Sequence, residues 1–217
     1  MFNCRSNKII AFYHNSSDRI EQLRKICGNQ LIAVSADFND LDAFRDRLKI
    51  LQELPPPDHV LHLAANRLVY DRFPRFEAED FERAFHCSVL SLQEILRRIL
   101  PGMAKRKNGK IVIVLSSCTN HMPPSFMCPY VVSKYALLGL TKALAAEYAE
   151  KGICVNALSP EMVETRFLSE IPELIVAAAA EKSRRDRILT VSEVLPAIEF
   201  LLSEASDTVN GQNLQIS

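Results

Sequence analysis

Apolar positions along this chain recur with two alternating periods. Short runs rich in β-branched residues, "KIIAFYH" (8–14), "QLIAVSA" (30–36), "HVLHLAA" (59–65), "KIVIVLS" (110–116) and "ICVNALS" (153–159), suit strands buried on both faces, and a last short run, "NLQIS", occupies 213–217. Between them the apolar residues fall three and four apart, the spacing of one helix face. "SSDRIEQLRKICG" opens on serines able to cap a helix and closes at Gly28, which suits the left-handed turn after one. "NDLDAFRDRLKILQEL" stops at Pro55, Pro56 and Pro57, which cannot continue a helix. "FEAEDFERAFHCSVLSLQEILRRIL" (76–100) predicts one long amphipathic helix. "PYVVSKYALLGLTKALAAEYAEKG" (129–152) places Pro129 near the first helical position and Gly152 after the end. "TVSEVLPAIEFLLSE" (190–204) has Thr190 and Glu193 at capping-box spacing.

Strands alternating with helices predict a parallel sheet covered on both faces, a doubly wound α/β fold. The length of 217 residues, with no break in composition, fits one domain. "VETRFLSEIPELIVAAAAEKSRRDRIL" (163–189) separates a strand from the next helix by more than an ordinary connection, and excursions of this size are often lids or binding loops.

Composition narrows the function classes. Lys plus Arg and Asp plus Glu number 26 each, so no global basic surface draws a phosphate backbone or an anionic membrane, and nucleic acid is not an expected partner. Six cysteines (Cys4, Cys27, Cys87, Cys118, Cys128 and Cys154) lie in or beside apolar runs with no C-x-x-C or Cys/His clustering, which points to free thiols in a reducing compartment and to no metal site. No apolar run reaches the roughly 20 residues of a membrane span, and "MFNCRSNKII" lacks the charged start and long apolar stretch of a signal peptide. A cytoplasmic protein with no membrane partner is expected.

The chemistry concentrates in "SSCTNHMPPSFMCPYVVSKYALLGL" (116–140). Tyr130 and Lys134 are four apart on a predicted helix, so their side chains share a face one turn apart. An ammonium near a phenol favours the phenolate and lowers a reference pKa of about 10 towards neutrality. Tyr130 then becomes a plausible general acid or base, although the same pair would also suit a solvated helix face. Ser116 and Ser117 close the preceding strand, and ligands of such sheets sit outside the carboxyl ends of strands, where a hydroxyl stabilises charge developing on a carbonyl oxygen.

On these residues the chain resembles the short-chain dehydrogenase/reductase family, and 3-oxoacyl-carrier-protein reductases within it. Ser117, Tyr130 and Lys134 match its Ser and Tyr-x-x-x-Lys at the family's usual interval, which favours Ser117 over Ser116. "ADFND" resembles the acidic turn after the family's third strand, "LHLAAN" the segment after its fourth, "GICVNALSPEMVETRF" the strand and loop at the nicotinamide, and "SEVLPAIEFLLSEASDTVNGQNLQIS" its last helix and strand. The resemblance implies a Rossmann-like, mostly parallel sheet with 163–189 as substrate lid. It implies hydride transfer between NADP(H) or NAD(H) and a ketone or secondary alcohol, on a small-molecule or carrier-bound carbonyl substrate. Tyr130 would exchange the proton, Ser117 would orient the carbonyl, and Lys134 would hold the ribose hydroxyls. Asp37 and Phe38 would lie at the adenine, with Asp37 as cap of the following helix the competing reading. Ala64, Ala65 and Asn66 would leave the backbone approachable, and Pro160, Val163 and Thr165 would line the nicotinamide and phosphate side. His14, Asn15, Ser16 and Ser17 are neutral donors where NAD-selecting members place a carboxylate, so NADP is preferred, with the serines as plain helix caps the alternative. A homodimer or homotetramer packed through 77–100 and 129–150 is also implied.

Three departures mark this sequence off. The glycine-rich turn that takes the pyrophosphate has no counterpart, since no two of Gly28, Gly102, Gly109, Gly139, Gly152 and Gly211 are close enough to form one. "MFNCRSNKII" reads like the end of the family's first helix entering its second strand, as though the first strand, which is central in the order 3-2-1-4-5-6, were absent. Each buried backbone group left unpaired there costs roughly 1–3 kcal/mol. Direct pairing of the flanking strands, a segment or subunit in the space, or a longer parent sequence would repair it. The asparagine that anchors a relay water becomes Ser88. "NNAG" becomes "HLAA", with His62 read as a packed strand histidine, and "PG" becomes "PE" at 160–161. Two other functions compete: a non-catalytic family member acting as a binding or oligomer partner, and a nucleotide-sugar epimerase or dehydratase, against which the short C-terminal region argues.

Overall fold

The structure is a computed structural model and describes residues 7–217, the side chain of Glu170 apart. The reading of residues 1–6 as a helix end, and Cys4 with them, lies outside the described residues. The chain divides into two compact units, Met1–Pro55 and Pro56–Ser217.

In the first unit β1 (Ile9–Tyr13) runs parallel to β2 (Leu31–Ser35), with Ile9 opposite Leu31 and Tyr13 opposite Ser35. Helix α1 (Ser17–Cys27) joins them and ends at Gly28, whose positive φ of 54° lets its N–H donate to the Arg24 carbonyl. Ser16 holds the cap position of α1 without a side-chain hydrogen bond to the helix. Helix α2 (Leu41–Arg47) continues as a 3₁₀ turn, Leu48–Gln52, before the prolines. Its apolar face buries Phe44 completely, with Phe12 edge-on at 5.7 Å between ring centroids and Phe38 at 4.6 Å.

The second unit is a four-stranded parallel sheet, β3 (His59–His62), β4 (Gly109–Val114), β5 (Ile153–Pro160) and β6 (Asn213–Ile216), hydrogen-bonded in that order. Ile111, Ile113, Val155 and Ala157 point to one face and Val112 and Leu158 to the other, and all six are fully buried, as the unbroken apolar runs require. Helix α7 (Val191–Leu202) packs Val194, Ile198 and Leu201 against Val112 and Leu158. Its capping box is present: Thr190 N–H donates to Glu193 Oε2 at 2.9 Å. The predicted long helix is α3 (Ala78–Phe85) and α4 (Ser91–Arg106), joined by a π-helical turn, His86–Leu90. Helix α5 (Cys128–Tyr148) packs against β5. The excursion at 163–189 contains a 3₁₀ turn (Arg166–Glu170) and α6 (Glu173–Lys182). Its base is closed by a bridge between Val163 and Leu189, with Leu189 N–H donating to the Met162 carbonyl at 2.8 Å.

The α/β class with parallel strands is as the sequence predicts. Among the described residues β1 and β2 form a two-stranded sheet in the first unit, and β3 to β6 a four-stranded sheet in the second. No helix among them is long and apolar enough to cross a membrane.

Gly152 turns the chain from the end of α5 into β5 at φ 68°, and a Cβ there would lie 2.3 Å from the Lys107 carbonyl oxygen. That neighbour is backbone and cannot rotate away. Gly152→Ala is therefore expected to lower unfolding stability by about 2 kcal/mol or more, read from the denaturant midpoint. An unchanged midpoint would show that the turn has slack.

Candidate active site

β4 delivers the chain to the site. Leu115 N–H donates to the Leu158 carbonyl at 2.7 Å, prolonging the sheet register by one residue. Ser116 is extended and caps the 3₁₀ turn Ser117–Thr119, its Oγ accepting from Cys118 N–H at 3.4 Å. The turn is fastened to β5 and β6 by polar side chains. Thr119 Oγ1 bonds Ser159 Oγ at 3.0 Å, Ser159 Oγ donates to Asn213 Oδ1 at 2.7 Å, and Asn213 Nδ2 donates to Asn120 Oδ1 at 2.7 Å. Ser159 is wholly buried, so these bonds also satisfy a hydroxyl that water does not reach.

Helix α5 begins with Pro129 in its first turn and brings Tyr130 and Lys134 onto the face that meets this loop. Lys134 Nζ donates to the Val114 carbonyl at 2.8 Å and stands 5.6 Å over the Tyr130 ring, a cation–π contact. The lysine is 3% exposed, and among the described residues no carboxylate pairs with it. Burial lowers its pKa to about 8, with the nearby Cys118 and Cys87 thiols pulling the other way. Burial likewise pushes the Tyr130 phenol above its ordinary range, opposed by a hydrogen bond to the Ser116 side chain. The sequence led us to expect a phenol lowered by its lysine neighbour. In the folded chain loss of water outweighs that attraction, and Lys134 meets the ring face while its ammonium bonds a backbone carbonyl. Burial also raises the Cys118 thiol.

The serines divide by position. Successive residues of an extended chain point to opposite sides, and it is Ser116 whose hydroxyl meets Tyr130. Ser117 is half-buried; its carbonyl accepts from Asn120 and His121 N–H groups at 3.0 and 3.2 Å, and its hydroxyl makes no hydrogen bond among the described residues. Ser88 sits in the π-helical turn. Its carbonyl accepts from His62 Nε2–H at 2.8 Å, and the residue lines a cavity with Tyr130, Asn66 and Ser133. Burial first, and the Lys134 charge second, lower the His62 pKa to about 4, so the imidazole is neutral at physiological pH and donates from Nε2.

The remaining candidates are spread along the strand ends. Ala64, Ala65 and Asn66 are half-buried in the segment leaving β3. Pro160 is buried at the end of β5 opposite Ile216, and Val163 lies at the base of the excursion. Thr165 is exposed, its hydroxyl donating to the Val163 carbonyl at 3.3 Å. Asp37 and Phe38 belong to the first unit. Asp37 does not cap α2; Asp40 does, accepting from Ala43 N–H at 3.0 Å, while Asp37 Oδ1 accepts from Asn39 N–H at 2.8 Å and its Oδ2 lies 3.7 Å from His14 Nε2. Phe38 packs on Phe44.

Three contacts carry no signal in the sequence pattern: Ser116 on Tyr130, His62 on Ser88, and Phe167. The last reaches from the excursion to stack tilted on Tyr130 at 5.6 Å, within an apolar cluster of Leu68, Met127 and Ile171. Only folding sets such partners, which are 14, 26 and 37 positions apart in the chain.

Comparison with known proteins places this geometry. A family model described as enoyl-(acyl carrier protein) reductase matches residues 4–217. Oxidoreductase UcpA of Salmonella typhimurium is 29% identical over 206 residues, covering 90% of this chain and 78% of that protein. Dehydrogenase/reductase SDR family member 4 of Mus musculus is 35% identical over 147 residues, 64% of this chain and 50% of that protein. Among solved structures, a 3-oxoacyl-[acyl-carrier protein] reductase from Brucella melitensis has the same fold, with a TM-score of 0.83 at 23% identity over 95% of this chain and 79% of that one.

Proposed function

Because the chain belongs to the short-chain dehydrogenase/reductase family, we propose that it passes a hydride between a nicotinamide cofactor, NADP(H) in preference to NAD(H), and a ketone or secondary alcohol. One observation carries the reading: a buried lysine without a carboxylate partner stands over the ring of a partly buried tyrosine at the carboxyl end of a parallel strand. An uncompensated ammonium there fits the ribose hydroxyls of a dinucleotide, so the residues present suit the nicotinamide half of the cofactor. When bound, the nicotinamide supplies or accepts the hydride.

The chain's own side chains do the rest. Tyr130 holds the proton at Oη and, with its pKa raised, is an acid at neutral pH, which favours reduction of a carbonyl. Ser117 offers its hydroxyl to the substrate oxygen, and Ser116 keeps the phenol aimed. Ala64, Ala65, Asn66, Pro160, Val163 and Thr165 are assigned to the cofactor side, Asp37 and Phe38 to the adenine, and Ser88 to the proton path. We read 1–217 as one domain of the family with 163–189 as its lid, in a cytoplasmic setting that suits the free thiols. We assign its self-association to 77–100 and 129–150, where Leu138, Leu140 and Leu144 are half-buried.

The test is titration of the 217-residue chain with NADPH and NADH, followed by fluorescence or calorimetry. Saturable binding with NADPH tighter supports the proposal, and no binding at millimolar cofactor rejects it. The second reading, a non-catalytic partner protein, draws on the lack of a glycine-rich strand–turn–helix among the described residues, and it predicts that null titration. Given binding, Ser117→Ala is expected to lower kcat roughly 10²-fold. Ser116→Ala should instead move the pH profile upward, because it removes the bond that lowers the phenol pKa. Interchanged outcomes would swap the two roles.

A further inference from the structure

Asn213 lies 94 positions along the chain from Thr119, and the parallel register of β6 on β5 brings the two side chains together. Successive strand residues point to opposite faces. Ile216 packs with the α7 cluster on one face of β6, while Asn213 and Gln215 share the other with the turn that follows β4.

The hydroxyls at that turn are short of protons. Thr119 Oγ1 donates to the Ser116 carbonyl at 2.9 Å, and Ser159 Oγ donates to Asn213 Oδ1 at 2.7 Å. Each hydroxyl carries one proton, so the third contact, Thr119 Oγ1 to Ser159 Oγ at 3.0 Å, forms only by taking a proton from one of the other two. Asn213 is the member with protons to give. Its Nδ2 donates to Thr119 Oγ1 at 3.1 Å and to Asn120 Oδ1 at 2.7 Å, while its Oδ1 accepts from Ser159. Ser159 is wholly buried and Thr119 is 8% exposed, so water does not stand in for these bonds. The backbone of the turn depends on the same residues. Thr119 N–H donates to the Ser116 carbonyl at 3.0 Å, and Asn120 and His121 N–H groups donate to the Ser117 carbonyl. Holding Thr119 and Asn120 therefore holds the peptide units on both sides of Ser117.

We propose that Asn213 is a positioning residue for the reaction: from β6 it holds Thr119 and Asn120, and through them it sets where the Ser117 hydroxyl points. The word reaction rests on the oxidoreductase reading; the hold on the turn does not. A carboxamide suits the place because it accepts on one side and donates twice on the other. An aspartate would serve Ser159 but could donate to neither Thr119 nor Asn120.

The experiment compares Asn213→Ala and Thr119→Val with the parent chain, first by amide hydrogen exchange. Asn213→Ala should speed exchange at Thr119, Asn120 and His121 at least tenfold and leave Val112, in the core of β4, within twofold. Thr119→Val keeps the shape and removes the hydroxyl, and should speed Asn120 and His121 several-fold. With NADPH and a ketone substrate, Asn213→Ala should lower kcat roughly tenfold with KM within twofold. In a Ser117→Ala background the same substitution should cost no more than a further twofold, because the hydroxyl that it aims is gone. Leu214→Ala, on the opposite face of β6, should leave every reading within twofold. Unchanged exchange in the turn, equal acceleration of Val112 in both variants, or a full tenfold loss in the Ser117→Ala background overturns the proposal. NADPH titration of the same samples separates the two claims. Faster exchange in the turn of a chain that binds no NADPH leaves the hold standing and sinks the oxidoreductase reading; turnover that Asn213→Ala leaves untouched does the reverse.

Discussion

Tyr130→Phe is expected to lower kcat by roughly 10³-fold while leaving the NADPH dissociation constant within twofold of the parent value. The substitution removes one atom, the oxygen that carries the proton, and keeps the ring that packs on Phe167 and lies under the Lys134 ammonium. Packing and the lysine position are therefore preserved, and the loss reads the proton alone. Because burial raises the phenol pKa, the parent enzyme should reduce ketones steadily across neutral pH. Its rate should then fall above about pH 8, where Lys134 gives up its charge. Steady-state rates with a carbonyl substrate, paired with a binding titration, measure both quantities. A loss smaller than tenfold would take Tyr130 out of the proton transfer.

Local features were legible in the sequence, and features set by distant packing were not. The strands β1, β2, β4, β5 and β6 fall inside or within a residue of their apolar runs, and of these β4 and β5 are the ones buried nearly throughout, while β1, β2 and β6 are only partly covered. β3 is shorter than its run: pairing with β4 stops at His62, and Leu63 to Asn66 leave the sheet for the site. The Thr190 capping box follows from residues three apart and forms as read. The sequence offers Asp37 as a cap of the following helix, and the geometry of the turn gives that cap to Asp40 instead. Tyr130 and Lys134 share a face because a helix dictates it. The direction of the Tyr130 pKa shift depends on how much protein surrounds the ring, which spacing does not encode. "HCSVL" gives no sign of a π-helical turn, so Ser88 is named from the sequence, but the hold of His62 on its carbonyl emerges only in the folded chain.

Lys134→Met should stabilise the second unit at pH 7 and flatten its stability against pH. The lysine pKa is 10.5 when solvated and about 8 in the fold, so between those values the unfolded chain binds the proton more readily than the folded one. Unfolding free energy then rises with pH across the window from about 8 to 10.5, and below it the fold carries the full penalty of a charged, buried ammonium. At 1.36 kcal/mol for each pK unit that penalty is on the order of 3 kcal/mol. Methionine has similar length and no charge, but it gives up the bond to the Val114 carbonyl, which offsets about 1 kcal/mol. A net gain of about 2 kcal/mol at pH 7, shrinking towards pH 10, is expected from denaturant unfolding of the two proteins side by side. The difference between the curves isolates the lysine, since Cys118 and Tyr130 have raised pKa values and tilt both curves the other way. The same variant should lose NADPH affinity at least tenfold, because the ammonium that the fold carries at a loss is the group offered to the ribose. A variant that is less stable than the parent at pH 7, or that keeps its cofactor affinity, would mean that Lys134 is a structural tether of β4 to α5 and nothing more.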